Sequence, residues 1–169
     1  EETLELAPTL DPEGLRGSIV YHDGQFDDAR LAIAIAQTAA QNNGVLLNYF
    51  PVTGLLKANN KINGVQVKDA LTGNSYEIKS KAVINATGIF TDAVMHMDDL
   101  HHKNIVTHSQ GIHLVVDKEF LPGNTAIMIP KTDDGRVLFA VPWHNKIVLG
   151  TTDTPVSKPL LEPVPKEEE

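Results

Sequence analysis

Ala82–Val83–Ile84–Asn85–Ala86–Thr87–Gly88 decides how the rest of the chain is read. An apolar run that breaks into Asn-Ala-Thr-Gly reads as a β-strand ending where small residues let a backbone come close to a ligand, as at the carboxyl end of a strand in an open α/β sheet. The competing reading of the same residues is an ordinary strand-end turn. Three further stretches stand in order with it: Tyr21–His22–Asp23–Gly24–Gln25–Phe26–Asp27–Asp28–Ala29–Arg30 upstream, then Ser109–Gln110–Gly111–Ile112–His113–Leu114–Val115–Val116, then Gly150–Thr151–Thr152–Asp153.

Around these motifs the pattern is α/β first and antiparallel β afterwards. A short strand is expected at 18–21. A helix is expected at 29–43, capped by Asp27 or Asp28, striped with Leu31, Ile35 and Thr38/Ala39, and ended by Gly44. A strand at 45–49 follows at once, and strand, helix, strand suggests a crossover in a parallel sheet. After it, 52–58, 62–68 and 75–79 read as a meander whose turns, at 59–61 and 71–74, carry Asn and Gly. Residues 91–97 form at most a short helix, and 98–104 read as a polar connection. Beyond it, β-rich runs at 105–109, 111–117, 126–130, 137–142 and 146–151, separated by turns at 122–124, 133–135 and 144–145, predict an antiparallel sheet. Residues 1–17 read as linker or disordered and 156–169, rich in Pro and Glu, as a disordered tail. The domains expected are therefore 18–97 and 98–155.

Composition narrows the function classes. The 169 residues carry 14 Lys plus Arg against 22 Asp plus Glu, a net charge of −8, which disfavours nucleic acid and anionic lipid as partners. The only arginines are Arg16, Arg30 and Arg136, too few and too scattered to clamp an anionic substrate. The absence of Cys excludes a disulfide framework and a thiolate metal site, and no apolar run is long enough to span a bilayer. His96, His101 and His102 read as surface linker rather than metal ligands, because adjacent loop residues diverge and no carboxylate or thiolate completes a shell. Asp27 and Asp28 read as helix caps rather than an acid/base pair.

The four ordered motifs, from about 17 to 155, make the chain similar to the FAD-dependent glycerol-3-phosphate dehydrogenase family. That resemblance implies an FAD/NAD(P)-binding-type parallel sheet with a β-meander before its last strand, 82–85, completed by an antiparallel-sheet substrate domain. It implies FAD as cofactor, oxidation of sn-glycerol 3-phosphate to dihydroxyacetone phosphate, and quinone as electron acceptor. In its frame Val52 holds the adenine side through its backbone, and Ala86, Thr87 and Gly88 line the cofactor edge. His113 takes the hydroxyl proton, since imidazole titrates in the right range, and Thr151 and Thr152 meet the substrate. Each has a plainer reading: Val52 as a strand residue, His113 as a half-buried ring bonded to a carbonyl, and 150–153 as a strand end with an Asp turn. The family's substrate-phosphate arginines match nothing here.

A Gly-rich strand-turn-helix for the pyrophosphate is missing, and the chain starts at Glu1 rather than Met. The expectation is an internal segment that does not retain FAD alone, in a parent that is cytoplasmic, either free or peripheral at the cytoplasmic membrane. Two alternatives stay open: an inert substrate-domain module, and a related FAD oxidase acting on another hydroxy or amino acid.

Overall fold

The structure, a computed structural model, describes residues 2–133 and 135–166. Glu1 of the expected linker, Asp134 of the expected 133–135 turn and residues 167–169 of the expected tail lie outside the described residues. The chain divides into two compact units, His22–Val106, and Glu1–Tyr21 with Thr107–Glu169.

In the His22–Val106 unit, Asp27 in extended conformation accepts from the Arg30 N–H with its carboxylate and starts the helix Asp28–Gln41. At the other end Gly44 N–H reaches Ala39 O and Asn43 N–H reaches Ala40 O, with Asn43 itself left-handed. The stop is thus a Schellman motif whose left-handed residue is Asn43. Gly44 serves by close approach: a Cβ there would sit 2.8 Å from Ala39 O. The meander follows as β1 (Val52–Ala58), β2 (Lys61–Lys68) and β3 (Ser75–Lys79), paired antiparallel in that order. Asn59 and Asn60, both at positive φ, form the two-residue reversal between Ala58 and Lys61. The second reversal is built on Asp69, whose carboxylate accepts from Leu71 N–H and from the Thr72 hydroxyl. A 3₁₀ turn, Gly88–Phe90, leads into the helix Thr91–Asp98. That helix is tied to β1 by Lys57 Nζ, 2.7 Å from the Asp98 carboxylate.

The expected parallel strands are the chief departure. Among the described residues, 18–21, 45–49 and 82–85 pair with no other strand, and every sheet is antiparallel. Extended backbone becomes a strand only when a neighbour takes its N–H and C=O groups. Val45 and Ile84, apolar as buried parallel strands require, are 84% and 88% exposed.

The second unit is built on a four-stranded antiparallel sheet in the order β5 (Leu114–Asp117), β8 (Lys146–Gly150), β7 (Leu138–Trp143), β6 (Ile127–Ile129). Its β7–β8 hairpin turns through His144 and Asn145, both at positive φ, as the sequence predicts. A two-stranded ladder joins β4 (Ser109–Gln110) to β9 (Thr154–Pro155). Ile147 is fully buried, and an apolar cavity of about 150 Å³ is bordered by Ile147, Leu121, Ile127, Ala140, Leu10 and others. Leu10 explains a second departure. The expected 1–17 linker instead holds the helix Glu2–Leu6, a buried Ala7 and a side chain that borders the core, so a few apolar anchors outweigh its Pro and Gly content. The predicted strand at 105–109 is formed only at Ser109.

Candidate functional site

The sequence singles out two groups of residues, and the structure places them in different units. In His22–Val106, the apolar segment before Asn85 ends in a compact turn. Asn85 Oδ1 accepts from the Thr87 hydroxyl at 2.7 Å, and Asn85 Nδ2 donates to Thr91 O. Ala86, Thr87 and Gly88 are exposed, and Gly88 is left-handed at φ 56° with open space where a Cβ would project. Small side chains over open space at the mouth of a short helix fit a ligand that must approach backbone closely, the steric demand of a dinucleotide edge. Val52, half-buried, is the first residue of β1.

Beside this turn lies a residue that sequence reasoning missed. Asp92, 6% exposed, accepts from Ile105 N–H at 3.0 Å and Val106 N–H at 3.1 Å. The Ile105 amide holds its carboxyl below the ordinary range of 3.8, against the opposing effect of burial, with help from Val106 and from His102 and His96 nearby. Asp at the second position of a helix reads as a dipole partner. Nothing local shows that its partners lie more than ten residues downstream.

In the other unit, His113 sits between two interrupted ladders. Its ring meets Phe139 edge-on, centroids 5.5 Å apart, and both rings lie over Gly150. A Cβ on Gly150 would fall 2.6 Å from His113 Cδ2 and 2.7 Å from Phe139 Cζ, so only glycine leaves room for the imidazole. Gly111 is equally constrained, because a Cβ there would collide with Thr152 O. The Thr152 hydroxyl accepts from Ile112 N–H at 2.8 Å, and the Thr151 hydroxyl donates to Thr152 O. His113, Thr151 and Thr152 are therefore brought together, with His113 and Thr151 exposed. What the arrangement offers is an exposed His113 packed over Gly150, on the strand opposite the one that carries Thr151 and Thr152. No group of side chains that would hold a metal ion occurs among the described residues.

The chain belongs to the FAD dependent oxidoreductase family, whose model matches residues 1–169. Among relatives, it is 40% identical to the mitochondrial glycerol-3-phosphate dehydrogenase of Schizosaccharomyces pombe, over 100% of this chain and 28% of that one. It is 42% identical to the mitochondrial glycerol-3-phosphate dehydrogenase of Homo sapiens, over 98% of this chain and 24% of the relative. Among solved structures, the glycerol-3-phosphate dehydrogenase from Bacillus halodurans complexed with FAD matches with a TM-score of 0.90 and 37% identity, over 99% of this chain and 34% of the other. The chain thus spans about a quarter of the length of its curated relatives and has the fold of the corresponding part of a flavoenzyme. The names of those relatives also correct the expectation of a cytoplasmic location, because they are mitochondrial. Composition and the lack of Cys carry no targeting information that would have pointed there. Among the described residues no helix is long and apolar enough to cross a membrane.

Proposed function

We propose that the protein to which this chain belongs oxidises sn-glycerol 3-phosphate to dihydroxyacetone phosphate with FAD as the acceptor and a quinone as the onward acceptor. The observation that carries this reading is the His113 site: an imidazole seated over Gly150, with the Thr152 hydroxyl on the adjoining Ile112 N–H, in a chain similar along its whole length to enzymes named for this substrate. Oxidising a secondary alcohol removes a hydride from carbon and a proton from oxygen. FAD, when bound, supplies the two-electron acceptor for the hydride. His113 takes the hydroxyl proton, and the exposed Thr151, with the remaining O–H of Thr152, orients the substrate oxygens. Ala86, Thr87 and Gly88 would hold the cofactor edge through close backbone approach, with the Val52 backbone beside the adenine. The units His22–Val106 and Thr107 onward act in this reading as cofactor-binding and substrate-binding parts respectively. Arg16, Arg30 and Arg136 carry no substrate phosphate in it.

The experiment is anaerobic addition of substrate to the native-length protein while the flavin absorbance is followed. Glycerol 3-phosphate is expected to bleach the flavin, with glycerol far less effective. Equal bleaching by glycerol, or none by the phosphate, would overturn the substrate assignment.

A further inference from the structure

The backbone around His113 is an interrupted ladder. In β4 and β9, Ser109 faces Pro155 and Gln110 faces Thr154. In β5 and β8, Leu114 faces Leu149 and Val115 faces Val148. Between these two ladders, three residues on one strand (111–113) face four on the other (150–153), so the register slips by one. An extra residue of this kind leaves backbone groups without their regular partners and bends the strand that carries it. Ile112, in the middle of the shorter side, finds its acceptor on a side chain: the Thr152 hydroxyl, 2.8 Å away and 40 residues distant in sequence.

The geometry points to Thr152 as the positioning residue for His113. Its hydroxyl supplies the rung that the slipped register withholds from Ile112, and so fixes the backbone one residue before the imidazole. Gly111 and Gly150 give the complementary half of the device: Gly111 lets the two strands approach where a Cβ would meet Thr152 O, and Gly150 leaves the space that the His113 and Phe139 rings occupy. Without the Thr152 rung, the 111–113 backbone is held only by ladders on either side, and the ring loses its fixed seat over Gly150 against Phe139. Placement within fractions of an ångström is what a proton-accepting side chain must have. This rests on the proposed role of His113, but the positioning is a property of the chain itself.

The test therefore has two arms. In the native-length protein without substrate, Thr152→Val removes the acceptor at nearly constant shape and Thr152→Ser keeps it. The Ile112 amide is expected to exchange about tenfold faster or more with solvent in Thr152→Val, because its opening no longer breaks a hydrogen bond. The His113 imidazole resonances are expected to shift and broaden in that variant, while Thr152→Ser matches the wild type in both readouts. Thr152→Ala takes the place of the valine variant should that one not fold. Unchanged His113 signals and Ile112 protection would overturn the inference. In the native-length enzyme, Thr152→Val is expected to lower kcat by about ten- to a hundredfold with little change in KM or flavin content. A raised KM with unaltered kcat would instead make Thr152 a substrate contact alone. Failure of the wild type to oxidise glycerol 3-phosphate would count against the proposed function and leave the first arm to decide the positioning.

Discussion

At His113 the chemistry asked of one residue is specific, so its removal is informative. In the native-length protein His113→Ala is expected to lower turnover by about 100- to 10,000-fold, the usual cost of losing a general base, with flavin content unchanged. Steady-state kinetics beside the flavin-to-protein absorbance ratio checks this, and turnover within a few-fold of wild type would make the ring structural. Asp92 makes a different prediction. Its carboxyl is lowered in the folded state, chiefly by the Ile105 amide, so its contribution is fully present above the unfolded value near 3.8 and fades as pH falls through the lower folded value. The groups facing it are His102 and His96, whose electrostatic influence also favours the anion. Asp92→Asn should therefore melt at a lower temperature than wild type at neutral pH, with the difference shrinking under strong acid. Thermal melts across that range would show it, and a gap constant with pH would mean that the charge is not involved.

At the scale of elements, β8 is the hinge of the second unit's sheet, pairing with β5 on one side and β7 on the other. Ile147, fully buried on that strand, anchors it. Ile147→Ala would enlarge the neighbouring apolar cavity and is expected to cost about 2–5 kcal/mol, read as a lowered midpoint in denaturant unfolding. Because Ile147 lies three residues before Gly150, the same variant should loosen the seat of His113 as well. The meander of the other unit should not respond, since its reversals are set locally by Asn59, Asn60 and Asp69.

For the molecule as a whole, charge and composition govern what the 169 residues bind. With a net charge of −8 and only three arginines, this polypeptide should bind glycerol 3-phosphate no better than glycerol. Each charge-assisted bond to a phosphate would contribute roughly 1.5–3 kcal/mol, so two or three would discriminate by a hundredfold or more. Calorimetry with both ligands distinguishes the cases, and saturable binding of the phosphate alone would relocate its site into this chain. The same preparation is expected to be colourless, because no Gly-rich turn for the pyrophosphate occurs in it. A yellow preparation would show that the Ala86–Thr87–Gly88 edge holds flavin unaided.

What the sequence determined by itself was everything with a local cause. The Asp27 cap, the helix it starts, the Asn turns of the meander and the 144–145 hairpin depend on interactions within a few residues, and they fall where the pattern predicts. The order of four motifs likewise pointed to the family without any coordinates. Tertiary structure alone decided what joins residues far apart. The register slip at 111–113, the Ile112 rung on Thr152, the fit of His113 over Gly150 and the Asp92 grip on Ile105 and Val106 are each set by a partner that no window of sequence contains. The same reason explains the parallel strands expected at 45–49 and 82–85. Their apolar character was legible, but pairing belongs to two strands at once, and among the described residues neither finds a neighbour.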